Sequence, residues 1–528
     1  MSTIANTPAA YGYPLLIKRL LEAPHAGAGE IVYRDRLRYD YPAFRARVGK
    51  LASALAALGI GPGDTVAVMD WDSHRYLECF FAVPMMGAVL LTVNVRLAPD
   101  QILYCLNHAK AKLVLVNRDF FACLNAIADR LQSAKGFVEI EDGPAGEAAK
   151  PSFAGEYESL LAKADAGFVF PDFDENRRAT TFYTTGTTGA PKGVYFSHRQ
   201  IVLHSLVLLT TFGLQAHQGR FDRSDVYMPI TPMFHVHAWG FPFAATMAGV
   251  KQVYPGRYLP EHLLALKVKE GVTFSHCVPT ILQMLLAAAK GDELKGWKIV
   301  IGGAAFPTAL AEAALARGLD VFAGYGMSET CPLLTVSHVT AAQDDVATRA
   351  KAGMPVPLVE LRTVDGAMED APSGEVVVRA PWLTQGYLGD AEASARLWQG
   401  GWLHTGDIGQ IGADGRLAIT DRIKDVIKSG GEWVSSVALE DIILQHPAVA
   451  EVAVIAMPDP KWSERPLALV VAKGSCDAAA ISAYVQGFAD RGAICKLAVP
   501  TRVEFVDQLP RTSVGKLDKK AMRAKYLT

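Results

Sequence analysis

The sequence predicts an α/β fold: a large N-terminal domain of α/β sheets with a β-rich subdomain, followed by a small α+β C-terminal domain. Three observations predict it. Short apolar runs alternate with stretches whose apolar residues recur at three- and four-residue steps, which reads as strands alternating with helices. Beyond residue 360 the pattern changes to short strands split by Asp-Gly and Ser-Gly turns. Past residue 425 the chain carries a further set of helix and strand signals, and 528 residues are enough for several packed units.

Residues 41–58 place Phe44, Val48, Leu51, Leu55 and Leu58 on one helical face, and Gly59 to Gly63 stops the helix. A β-branched strand at 65–69, a helix at 76–86 and an apolar run at 111–116 follow. The alternation resumes with a strand at 297–301, a helix at 307–318 and a strand at 320–323. Ligands of such sheets bind at the carboxyl ends of the strands. The segments 359–363, 374–379 and 416–420 read as the β-rich part. The charged run Asp421-Arg422-Ile423-Lys424-Asp425 marks a boundary between an N-terminal domain at 1–420 and a C-terminal domain at 425–528. The C-terminal domain has helices near 436–445 and 478–491 and strands at 449–456 and 467–472.

Composition excludes several classes. Lys plus Arg number 52 against 54 for Asp plus Glu, so no overall field recruits nucleic acid or an anionic membrane. Residues 1–21 lack the basic, apolar and small-residue regions of a signal peptide. The apolar stretch 228–250 contains His235, His237 and three prolines, so it reads as buried protein rather than a membrane span, leaving at most peripheral membrane contact. Seven cysteines, odd in number and without ligand spacing, predict reduced thiols and a cytoplasmic protein.

The strongest local signal is Tyr183-Thr184-Thr185-Gly186-Thr187-Thr188-Gly189-Ala190-Pro191-Lys192-Gly193, set between a strand-like run and a helix beginning near His198. Glycines let backbone N–H groups surround phosphate oxygens, threonine hydroxyls add donors and Lys192 adds charge. Gly193 follows the lysine where a Walker A loop has Ser or Thr, so this is another kind of phosphate loop.

This string resembles the phosphate loop of the acyl-adenylate-forming superfamily of acyl-CoA synthetases, adenylation domains and luciferases. Further motifs match in order: Gly324-Tyr325-Gly326-Met327-Ser328-Glu329-Thr330 resembles the adenine and metal motif, and Gly401 to Asp407 the ribose motif. Asp421 to Lys424 resembles the hinge, and Pro510 to Lys516 the motif of the catalytic lysine. Pro232 to Trp239 and Lys428 to Ser436 are similar to bacterial medium- and long-chain acyl-CoA synthetases and methylthiopropionate-CoA ligases. The match runs from about Tyr33 to Lys520.

The resemblance implies an ATP-dependent carboxylate:CoA ligase using Mg2+ and coenzyme A, with a mobile lid. Thr184 and Glu329 would hold the metal, hard oxygen ligands suited to Mg2+. The loop residues Thr184 to Gly189 and Lys192 would hold phosphates. Tyr325 would stack on adenine, with Gly303, Ala304, Gly324 and Gly326 to Ser328 around it. Asp407 and Arg422 would hold the ribose, and Lys516 would bridge acyl carboxylate and α-phosphate. His235, Trp239, Gly302, Gly303 and Gly324 would line the acyl pocket, and Lys424, Lys428 and Trp433 the hinge and the lid face that meets the adenylate. On residue type alone His235 and Trp239 fit a buried core as well. The expected substrate is an apolar medium-chain fatty acid, with 3-methylthiopropionate or an aromatic acid as alternatives. The other class is a stand-alone adenylation enzyme loading a carrier protein. A homodimer is possible on the same resemblance.

Overall fold

The run Thr65–Met69 is buried along its whole length, as a parallel strand covered on both faces must be. It pairs in parallel with Val89–Thr92 on one side and Ala111–Asn117 on the other. The crossover helix His74–Met85 starts at Ser73, whose side chain accepts the Tyr76 N–H. These strands belong to a seven-stranded sheet that ends in the antiparallel pair Arg178–Thr184 and Lys192–Ser197. The structure is a computed structural model describing residues 12–22, 29–143, 151–184, 190–430, 432–512 and 515–527, and every sheet, contact and count given is of those described residues.

The sequence places a helix directly after the phosphate-loop motif, beginning near His198. The helix is His198–Gly213, opened by a capping box between Ser197 and Gln200, but a strand precedes it. Val194, Tyr195 and Phe196 are β-branched or aromatic and pair with the preceding strand, which sets Thr184 opposite Lys192.

A second, nine-stranded sheet has a parallel centre in which Phe274–Cys277, Lys298–Ile301 and Asp320–Gly326 lie side by side. The helices Tyr41–Ala57, His74–Met85, His198–Gly213 and Phe241–Ala248 contribute Phe44, Phe80, Phe212 and Phe243 to the largest apolar core. The expected β-rich part is a four-stranded antiparallel sheet, Glu360–Val364, Ser373–Arg379, Leu403–Ile411 and Leu417–Arg422.

The chain leaves that sheet at Arg422 and enters a five-stranded sheet at Ile427. This last sheet has its own core around Leu439, Ile443, Val454, Val470 and Ile481. The crossing is tied down. Asp421 Oδ2 accepts the Ser436 N–H at 2.6 Å and its hydroxyl at 2.7 Å, while Lys519 Nζ reaches Ser436 Oγ at 2.6 Å and Glu440 at 2.7 Å. Among the described residues no helix is long and apolar enough to cross a membrane.

A buried carboxylate joins three helices, Tyr41–Ala57, His74–Met85 and Tyr157–Lys163, to the edge strand Leu37–Asp40 of the nine-stranded sheet. Glu78 is fully buried and accepts from Arg47 Nε at 2.6 Å, Tyr39 O–H at 2.7 Å and Tyr157 O–H at 2.6 Å. Removing one partner of such a cluster strands the others in apolar surroundings. Glu78→Ala is expected to cost ~3 kcal/mol or more of stability, read from the urea midpoint. A midpoint within error of wild type would refute that.

Candidate active site

The strand Asp320–Gly326 runs out of the sheet into a 3-10 turn at Ser328–Thr330. Tyr325, Gly326, Met327 and Ser328 are half-buried along this path, and the Met327 N–H donates to Thr330 Oγ1 at 3.0 Å. The Tyr325 hydroxyl donates to Asp407 Oδ2 at 2.9 Å. Arg422 Nε pairs with Asp407 Oδ1 at 3.0 Å, because Asp407 and Arg422 are cross-strand partners. Three residues predicted for one nucleoside therefore meet. Glu375, which no motif singled out, fixes the turn before Asp407: its carboxylate accepts the Gly406 N–H at 3.0 Å and bonds His404 Nδ1 at 2.9 Å.

Glu329 is buried, which pushes its carboxyl pKa up, against the Tyr387 hydroxyl that donates to Oε1 at 2.8 Å. Lys192 Nζ lies 4.5 Å from the centre of the Tyr387 ring. The segment carrying Tyr387 is laced to both sides. Leu388 N–H donates to Gly193 O at 2.8 Å, and Thr384 N–H to Glu329 O at 3.0 Å. Thr184, opposite Lys192, is thus joined through Tyr387 to Glu329, and these hard oxygens suit a magnesium ion shared with phosphates. Thr185, Gly186, Thr187, Thr188 and Gly189 lie outside the described residues.

Lys516 comes from the C-terminal unit. A Cβ placed on Gly303 would lie 3.3 Å from Lys516 Cε and 3.7 Å from Nζ, so glycine leaves the room that the lysine fills. Gly303 also has φ +79°, a conformation that glycine adopts readily. The neighbouring Gly515 carbonyl accepts from Thr280 Oγ1 at 3.5 Å. Burial, then Arg422, pull the Lys516 pKa down to about 8, with Lys424 adding to them and Asp407 and Glu329 opposing. Ala304 is exposed beside this contact.

The other wall is aromatic. A Cβ on Gly302 would meet Gly324 O at 2.8 Å and the Trp239 indole at 3.0 Å, so Gly302, Gly324 and Trp239 converge. Trp239 is buried and stacks on His276 at 5.0 Å, which stacks on Phe241 at 5.0 Å. Its backbone is unexpected: Val236, His237, Ala238 and Trp239 form a left-handed turn with φ of 48°, 55°, 49° and 58°. Burial, with Lys516 and Arg96 next in effect, holds His235 neutral by lowering its pKa to about 3. Lys516 therefore faces both the nucleotide cluster and the aromatic wall.

Lys428 and Trp433 pair across the strands Ile427–Ser429 and Glu432–Val434, the ammonium 5.8 Å from the indole centre, and Trp433 is 59% exposed. This arrangement does not bring them to the cluster, whereas the pKa of Lys424 is lowered by burial and by Arg422 beside it.

Residues 22–388 match the family model described as AMP-binding enzyme, and residues 438–516 that of the AMP-binding enzyme C-terminal domain. The chain is 40% identical over 505 residues to a long-chain-fatty-acid–CoA ligase of Thermus thermophilus, covering 93% of this chain and 90% of that protein. It is 39% identical to a 3-methylmercaptopropionyl-CoA ligase of Ruegeria lacuscaerulensis, covering 97% of each. To a medium-chain-fatty-acid–CoA ligase of Ectopseudomonas oleovorans it is 37% identical, covering 97% and 96%. With both family models matched and near-complete coverage of these relatives, the chain belongs to the AMP-binding enzyme family, among its acyl-CoA ligases.

Proposed function

We propose that this ligase activates an apolar, straight-chain monocarboxylic acid of medium length as its acyl-adenylate and transfers the acyl group to coenzyme A. The observation that carries the reading is the insertion of Lys516 against Gly303, between the Asp407–Glu329 cluster and the Trp239 wall. A carboxylate approaching the α-phosphate of ATP brings two anions together, and an ammonium between them lowers that barrier. Bound magnesium, held by Thr184 and Glu329, would neutralise phosphate charge. Asp407 and Arg422 orient the ribose, Tyr325 faces adenine, and Lys192 with the loop from Thr184 to Gly189 takes the phosphates.

Coenzyme A then needs access that the inserted lysine blocks. In our reading the lid turns at 421–424, withdraws Lys516 and brings the face bearing Lys428 and Trp433 to the adenylate. The three relatives act on acids of different length at nearly equal identity, so identity does not choose the acid. What supports medium length is Trp239, whose indole closes against Gly302, 3.0 Å from where a Cβ there would stand. The stretch 231–240 has no lysine or arginine for a second carboxylate. The seven free cysteines support a reducing, cytoplasmic setting. A homodimer remains part of the proposal by family resemblance.

Two experiments test this. Lys516→Ala is expected to lower pyrophosphate release about a hundredfold or more while sparing thioester formation from supplied acyl-AMP. In the wild type the charged form is lost as pH rises, so kcat/KM for adenylation should fall above about pH 8 and the alanine variant should lack that limb. Equal loss of both half-reactions would remove the role. Trp239→Ala should raise the palmitate-to-octanoate activity ratio about tenfold, because a lost indole opens volume that only a longer tail reaches. A uniform loss across chain lengths would mark Trp239 as packing alone.

A further inference from the structure

Asp72 lies outside every motif, yet it reaches across the interface between the two large sheets. It follows the strand Thr65–Met69 of the seven-stranded sheet, and it is 3% exposed. Its Oδ1 accepts the Met233 N–H at 2.9 Å. Its Oδ2 accepts the Tyr258 hydroxyl, and its backbone carbonyl accepts the Gly256 N–H at 2.8 Å. Met233 begins the segment that carries His235 and runs directly into the left-handed turn ending at Trp239. One residue later Thr92 Oγ1 donates to the Phe234 carbonyl at 3.0 Å. The entry to the acyl wall is thus pinned from the opposite sheet at two successive residues, and Asp72 is the one of the two pins that can carry charge.

We propose that Asp72 is a positioning residue for acyl selectivity, its ionised carboxylate clamping the Met233 backbone and so fixing where Trp239 closes the pocket. This rests on the ligase reading above. A strained turn holds only if its surroundings over-determine it, and the clamp acts at the turn's N-terminal root. An ionised carboxylate accepts from Met233 and Tyr258 together. Once protonated the group is uncharged and one of its two oxygens carries the single O–H, so the Met233 N–H is left with a neutral acceptor and a hydrogen bond of about half the strength.

The clamp is therefore expected to tighten with rising pH. Burial raises the Asp72 pKa to about 7, opposed by the two hydrogen bonds and by Arg96, while Asp70 adds to the rise. The other titratable groups that face it, Tyr76, Tyr227, Tyr254 and Tyr258, are held neutral by burial with pKa values well above 10. None of these tyrosines changes charge near neutrality; Asp70 is also raised by burial, opposed by Arg75, Ser73 and Asn117, and the Asp72→Asn variant separates the two carboxyls.

The test is the ratio of kcat/KM for octanoate to that for laurate in pyrophosphate release, measured one unit below and one unit above about pH 7. Taking a ratio of two acids cancels the titration of Lys516, which both share. The wild type should discriminate about threefold more sharply at the higher pH. Asp72→Asn should give a flat ratio. Tyr258→Phe, which removes one donor to the carboxylate and so raises its pKa, should move the transition to higher pH with the clamp intact. A flat ratio in the wild type, the same slope in Asp72→Asn, or an unmoved transition in Tyr258→Phe would overturn the assignment. If no acid elicits pyrophosphate from the wild type at any pH, the ligase reading itself fails, whereas release with a flat ratio sinks only the Asp72 clamp.

Discussion

A single ammonium, Lys516 Nζ, is carried from one folded unit to Gly303 of another, where the negative charges of Asp407 and Glu329 favour it and burial, Arg422 and Lys424 oppose it. Burying a cation beside two others is unfavourable unless anions compensate. Two carboxylates offset part of the cost, and the depressed lysine pKa records the remainder. In the proposed reaction an arriving triphosphate and carboxylate would supply the missing negative charge. The separate core around Leu439 and Val454 gives the C-terminal unit packing of its own, which the proposed turning of that unit requires.

The aromatic wall answers a different demand. Four consecutive non-glycine residues in the left-handed region cost about 1–2 kcal/mol each. Val236, Ala238 and Trp239 are buried, and that apolar burial offsets part of the strain, whereas both ring nitrogens of buried His237 have no hydrogen-bond partner among the described residues and add to the cost. His237 sits among Phe80, Phe182, Phe196 and Phe243, with ring centres 5.3 to 6.2 Å away. A right-handed turn would aim the indole elsewhere, away from Gly302 and Gly324. The geometry of the acid site therefore rests on packing that lies behind it.

Much of this was legible in the sequence, for identifiable reasons. Strands such as Thr65–Met69 and the helix Tyr41–Ala57 carry strong periodicity and clear stops, and both occur where the pattern places them. Tyr325, Asp407 and Arg422 were predicted together from motifs; two adjacent antiparallel strands explain why Asp407 and Arg422 meet, and Tyr325 reaches Asp407 through its hydroxyl from the strand Asp320–Gly326 of another sheet. Other features left no local signal. Lys192–Ser197 could read as a lead-in to the helix until its partner strand was known. The left-handed turn contains neither glycine nor asparagine, so nothing in its composition announces it. Asp72, Glu375 and Tyr387 act through contacts across long stretches of chain, and a lone acidic or aromatic residue does not encode its distant partner.

In the proposed reaction one carboxylate oxygen of the acid attacks the α-phosphate of ATP and stays on AMP when coenzyme A takes the acyl group. The most direct measurement is mass spectrometry of the nucleotide after turnover of octanoate labelled with oxygen-18 in both carboxylate positions, in the presence of ATP, magnesium and coenzyme A. AMP carrying one labelled oxygen, formed in step with octanoyl-CoA, is the expected product. Unlabelled AMP, or ADP with the label in orthophosphate, would contradict it.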